Sequence, residues 1–262
     1  MTRSPIVAAL LLIAAQICYP LTAGGARDRV TIAVVLLSAA TALLHAMPAR
    51  GPRYALGFLL IVSGLGLIAE IIGTATGFPF GRYDYALDRL GPAVAGVPLL
   101  VPLAWTGGLY PVWVVTGLLY RRARLRIPMA AAGAVGWDLF LDPQMVADGQ
   151  WRWCSNLPGL PGLSQIPWTN YLGWFAVASI MAVLLELLER GIPARAASPI
   201  VPVAVLLWTW LGSTLAHAVL LGLPASAGYG FAGLGVLGIP VVARMSRRAR
   251  HVRPDPACHG TM

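Results

Sequence analysis

Three acidic residues interrupt apolar runs: Glu70 in Leu67-Ile-Ala-Glu-Ile-Ile72, and Asp138 and Asp142 in Trp137-Asp-Leu-Phe-Leu-Asp142-Pro143. A carboxyl group within hydrocarbon is costly and usually faces a bundle interior or a wet cavity, so each of the three marks a place where chemistry is expected. The spacing of four puts Asp138 and Asp142 on one helix face, about one turn apart. Two carboxyls that close in an apolar setting hold a proton between them, which is how acid and base roles are divided between similar groups. Simpler roles stand beside these. Asp142, next to Pro143, could end its helix near the headgroups, and Glu70 could pair with an arginine such as Arg82 as a structural lock.

These residues need elements to hold them. With 58% hydrophobic and 11% charged residues and a mean hydropathy of +0.73, the chain is more apolar than a soluble domain can be. Apolar stretches of about 18 residues or more recur, each long enough to cross hydrocarbon as a helix. Strands of a membrane barrel would alternate apolar with polar, which these do not. The expected fold is therefore all-α, a polytopic transmembrane bundle with spans near 6–23, 30–47, 54–77, 93–119, 128–147, 169–188, 198–222 and 228–245. The fourth, with Pro102, Gly107, Gly108 and Pro111, is expected to be kinked or broken. Residues 1–245 read as one transmembrane domain and 246–262 as a basic cytoplasmic tail. The first run resembles a signal peptide and is expected to be kept as the first helix.

All 19 basic residues are arginine, and they sit mainly in the short connections. The net charge of +9 is thus a topology signal rather than a nucleic-acid footprint. With both termini cytoplasmic, fourteen arginines fall inside, leaving Arg27, Arg29, Arg82, Arg89 and Arg152 outside. In that orientation Glu70, Asp138, Asp142 and His217 share the outer half with the loops 77–85 and 151–156 and with Asn170. Polar groups from distant parts of the chain then meet at one depth, as a site between helices requires. A lone His217 on an apolar helix is also what a hydrogen-bonded core residue looks like. Tyr83, Tyr85, Trp105, Trp137, Trp151, Trp153, Trp168, Tyr171 and Trp174 flank the region, either as an interfacial belt or as ring faces that stabilise a developing cation.

Cys18, Cys154 and Cys258 lack metal-ligand spacing, and the sequence has no nucleotide-binding glycine motif, His cluster or nucleophile elbow. Any reaction is expected to run without a metal or a bound redox cofactor.

Glu70, the run Gly77-Phe-Pro-Phe-Gly-Arg-Tyr-Asp-Tyr85, Val97-Pro98, Val101-Pro-Leu-Ala-Trp105, residues 137–143, Trp151-Arg-Trp153 and Ile166-Pro-Trp-Thr-Asn-Tyr-Leu-Gly-Trp174 follow one another in this order. Over about residues 60–190 they resemble the membrane carotenoid biosynthesis family that includes the CruF-type carotenoid 1,2-hydratases. The resemblance implies addition of water to the terminal double bond of an acyclic ψ end group. The implied catalytic residues are Asp138 as proton donor, with Glu70 and Asp142 orienting water or sharing the proton. Substrate contacts are expected from Trp137, Tyr83, Tyr85, Trp105, Arg82, Trp153, Asn170 and His217. The implied partners are the carotenoid within the bilayer, membrane lipids and other carotenoid enzymes. Competing readings are a carotenoid cyclase, in which a neighbouring double bond captures the same cation, a membrane prenyltransferase, and a proton-coupled transporter.

Overall fold

A computed structural model describes residues 3–252. Its helices are α1 (Ser4–Cys18), α2 (Gly24–Arg50), α3 (Pro52–Thr76), α4 (Leu100–Leu119), α5 (Ala123–Ala147), α6 (Trp168–Gly191), α7 (Ile200–Leu215) and α8 (Pro224–Val252). One 3₁₀ turn, Tyr19–Leu21, extends α1, and one π turn, Ala216–Leu220, extends α7. Proline in the first turn suits α1 and α3, where the missing N–H has no helical partner to lose. Gly77 ends α3 with a φ of 74°, a left-handed conformation that only glycine adopts at no steric cost.

Six helices, α1 to α3 and α6 to α8, are long and apolar enough to cross a membrane, and the protein is a multi-pass membrane protein. The other two are the most enclosed. Most of α4 is buried, including Trp105, Thr106, Tyr110 and Trp113, and α5 buries Asp138 and Asp142. Covered by neighbouring helices rather than lipid, these two do not need uniformly apolar faces. The fourth span differs from the sequence expectation: residues 93–98 form a hairpin, and the helix starts at Leu100 and continues unbroken through Pro111. At the other end of the chain α8 runs past residue 245 to Val252, and the rest of the basic tail lies outside the described residues.

Three two-stranded ribbons, not foreseen in an all-α chain, cap one end of the bundle. They pair β1 (Tyr83–Tyr85) with β4 (Trp151–Trp153), β2 (Ala93–Val94) with β3 (Val97–Pro98), and β5 (Gly159–Leu160) with β6 (Leu163–Pro167). The cap is pinned by charge. Arg89 reaches Asp28 at the start of α2 (Nη2–Oδ1 2.6 Å) and Asp148 after α5 (3.3 Å); Arg27 also meets Asp148 (3.1 Å), and Gln150 donates to both aspartates. The Asp28 carboxylate beside it holds the Arg89 guanidinium above its usual range. At the opposite end Glu189 of α6 accepts from Arg126 (2.7 Å), Arg50 (3.0 Å), Tyr54 (2.9 Å) and the Trp113 indole (2.8 Å), tying five helices together.

Helices α5 and α8 approach through glycine. A Cβ on Gly136 would lie 2.5 Å from the Gly233 backbone, closer than any side chain tolerates, so the contact depends on the small-residue packing that membrane helices favour. Gly136→Val is therefore expected to lower the unfolding free energy in detergent by about 1–3 kcal/mol, read as a lower melting temperature. An unchanged melting temperature would mean that the helices separate without cost.

Candidate active site

The cap and three helix ends build the site. Glu70 lies in the last two turns of α3 and is 3% exposed; its Oε2 accepts from the Tyr83 hydroxyl in a short bond and from the Tyr85 hydroxyl at 2.7 Å. The reach of Tyr83 depends on Gly73, where a Cβ would stand 2.7 Å from the phenol oxygen. Asp138 and Asp142, 1% and 5% exposed, do share one face of α5. Asn170, in the first turn of α6, donates to Asp142 Oδ2 at 2.5 Å and reaches Asp138 Oδ2 at 3.4 Å. The three carboxyl groups are electrostatic neighbours, and among the described residues no group of three acidic, histidine or cysteine side chains is arranged to hold a metal ion.

The ribbon explains why both tyrosines serve one acid. Alternation along a strand sends Tyr83 and Tyr85 to one face and Asp84 to the other. The register pairs Tyr83 with Trp153, Asp84 with Arg152 and Tyr85 with Trp151, so Trp151 and Trp153 share the inner face while the charged pair stays outside. Burial and the adjacent Glu70 carboxyl push both phenols well above their ordinary value of about 10. They therefore remain protonated donors throughout the physiological range.

Aromatic rings form a continuous wall. Trp105 stacks on Trp174 (4.1 Å between centroids) and meets Trp137 edge-on (5.2 Å). Phe80 joins Trp174 to Tyr83, and Trp153 lies 5.4 Å from Tyr83 with its indole N–H on the Phe80 carbonyl. Phe80 and Trp174 belong to this wall although neither is among the substrate contacts expected from sequence. A general clue for Phe80 was its place in the Gly77–Tyr85 run, between the glycines that let it fold back.

Two expected residues lie elsewhere. Arg82, just before β1, is exposed on the outer side of the ribbon, so it does not lock Glu70, whose partners are the two tyrosines. His217 is buried but belongs to another compartment, bonded to Ser226 and Gln144 and edge-on to Phe140. Two further hydroxyls, on Thr169 and Tyr171, are buried with no protein partner, and the Tyr171 phenol is an electrostatic neighbour of both aspartates. A buried hydroxyl left unpaired costs about 1–3 kcal/mol, so a water or a substrate oxygen is its natural companion.

Fold and site together define a class: a multi-pass helical membrane protein with an acid cluster and an aromatic wall enclosed at one end of the bundle. The chain belongs to the carotenoid biosynthesis protein family, which it matches over residues 30–237. It is 31% identical over 137 residues to a bisanhydrobacterioruberin hydratase of Haloarcula japonica, an alignment covering 47% of this chain. That alignment spans about half of the relative, 45% of its length. No solved structure gives a significant match to the chain.

Proposed function

We propose that this protein is a carotenoid 1,2-hydratase of the cell membrane, adding water across the terminal C1–C2 double bond of an acyclic ψ end group without a bound cofactor. One observation carries the reading: among the described residues Glu70, Asp138 and Asp142 are buried with no cationic partner, whereas the less enclosed Glu189 has two arginines. Structural acids in this fold are neutralised by charge. The three at the capped end are left free to exchange protons, beside a wall of ring faces suited to a carbocation.

The roles follow from hydrogen bonding. Asp138 receives Asn170 only at a long 3.4 Å and lies within hydrogen-bonding reach of Asp142, to which its own O–H can donate, so it is the carboxyl with a proton to give. It protonates C2, the less substituted carbon, and the positive charge develops at tertiary C1 before Trp105, Trp137, Trp153 and Trp174. Water attacks C1 and yields its second proton to a carboxylate. Glu70, with two donors fixed on Oε2, and Asp142, fixed by Asn170, are built as acceptors, and the carboxyl that takes up this proton returns it to Asp138, restoring the donor. The buried, unpartnered Tyr171 hydroxyl supports a role for it in holding the attacking water. The net change is one water added per reacted end. The substrate enters laterally from lipid, and the arginine distribution supports an orientation with the capped end on the outer side.

The test is expression in a bacterium that makes lycopene, with the pigments weighed by mass spectrometry. Products heavier by one water per end are expected. Ring-bearing products of unchanged mass would make the protein a cyclase, for which the same acids would serve. Unchanged pigment in cells whose membranes contain the protein would reject both activities on lycopene.

A further inference from the structure

Helix α5 separates two compartments. Asp138 and Asp142 meet Asn170 of α6, while Trp137, Leu141 and Gln144 border a cavity of about 820 Å³ among α1, α2, α4, α5 and α7. None of the three acids lines this cavity, although Trp137 and Leu141, their neighbours along α5, do. Its size is that of a small-molecule site, for which roughly 300–1,000 Å³ is usual. The wall is mainly apolar and includes no Asp, Glu, Lys or Arg side chain. A phospholipid or fatty acid would bring a charged head into a space with no countercharge. A neutral, extended isoprenoid brings none, and its polyene suits a wall containing Trp137, Trp151 and Trp208.

Polar side chains such as Gln16, Ser38 and Thr209 are scattered on the same wall, and one end carries a linked hydrogen-bonding group. Ser226 donates to the Leu139 carbonyl at 2.7 Å, so its oxygen accepts from His217 Nδ1 at 2.9 Å. With that proton committed, a neutral imidazole offers only a lone pair at Nε2, which stands 3.0 Å from Gln144 Oε1. The pairing is satisfied when the Gln144 amide is turned with its NH₂ to the ring, a half-rotation that keeps its shape. The Gln144 carbonyl then faces the cavity beside the buried, unpartnered Tyr19 phenol, and its two lone pairs can accept from that phenol and from a ligand hydroxyl together. His217 thereby gains a role through Gln144, not through the acids.

We infer that the cavity holds an extended isoprenoid and that Gln144 accepts a hydrogen bond from a hydroxyl on it, so that a hydroxylated polyene binds better than its parent hydrocarbon. The inference rests on the carotenoid reading above and concerns binding rather than turnover. The test uses the full chain in detergent with Asp138→Asn to prevent turnover. An acyclic C40 polyene hydrocarbon and its tertiary alcohol are titrated separately, and quenching of tryptophan fluorescence is read. The alcohol is expected to bind on the order of fivefold tighter, the worth of one net hydrogen bond. Gln144→Leu should bring the two affinities within about twofold, and Ala104→Phe, which fills the cavity, should weaken both. Gln144→Met serves equally if the leucine variant does not fold, as judged by circular dichroism and gel filtration. Equal affinities in the protein that keeps Gln144, a preference that survives its replacement, or displacement of the polyene by oleate would overturn the inference. Because the readout is binding, that failure leaves water addition intact, and a failure of water addition in pigment-forming cells leaves the binding preference measurable.

Discussion

Asp138→Asn is expected to abolish hydrated pigment, lowering turnover by at least about a hundredfold, while the protein still folds and inserts. Asparagine keeps the size of the side chain and a polar contact to Asn170, so little packing is lost in a residue that is 1% exposed. What is lost is the proton. A positioned acid contributes about 10²–10⁴-fold to such steps, and an amide cannot replace it at any pH. Asp142→Asn should be milder, since Glu70 remains to take up the proton from water. The measurement is the ratio of hydrated to unreacted carotenoid in cells with matched amounts of membrane-inserted protein. If Asp138→Asn retains activity and Asp142→Asn does not, the donor is Asp142 and the two roles are exchanged.

Much of this arrangement was legible from spacing. Asp138 and Asp142 share a face because four residues make about one helical turn, and the arginine-poor connections put Glu70, Asn170 and the loops 77–85 and 151–156 at one end of the bundle, where the structure has them. What spacing did not reveal depended on pairing across the chain. Tyr83-Asp-Tyr85 and Trp151-Arg-Trp153 have the same aromatic–charged–aromatic pattern, and neither segment alone says that the two form a ribbon; only the register turns four rings inward and two charges outward. Arg82 fell on the wrong face for the same reason. The hairpin at residues 93–98 was absorbed into an apolar run because Val94, Val97 and Pro98 are as apolar as the helix that follows. His217 shares its depth with the acids, but α5 stands between them, and a depth argument does not resolve position around the bundle axis.

The phenols of Tyr83 and Tyr85 are worth what they do for Glu70, and a double-mutant cycle isolates that worth. Tyr85→Phe removes a donor from a buried carboxyl that has no cation to fall back on, leaving Tyr83 as its one hydrogen-bond partner. A bond to an ionised acceptor contributes about 1.5–3 kcal/mol, so the single variant is expected to lose about that much stability in detergent and most of its turnover. Glu70→Gln also loses turnover, because the amide takes up no proton, but it keeps a carbonyl that accepts from either phenol. In the Glu70→Gln background the further change Tyr85→Phe should therefore cost clearly less than in the protein that keeps Glu70, a coupling of about 1–2 kcal/mol. Phenylalanine keeps the ring contacts with Tyr83 and Trp151, so strictly additive losses would mean that the Tyr85 hydroxyl acts independently of the Glu70 carboxylate and that Glu70 is oriented by Tyr83 alone. Either outcome is read by thermal or denaturant unfolding and does not depend on assaying the reaction, so it tests the acceptor role of Glu70 separately from the identity of the donor.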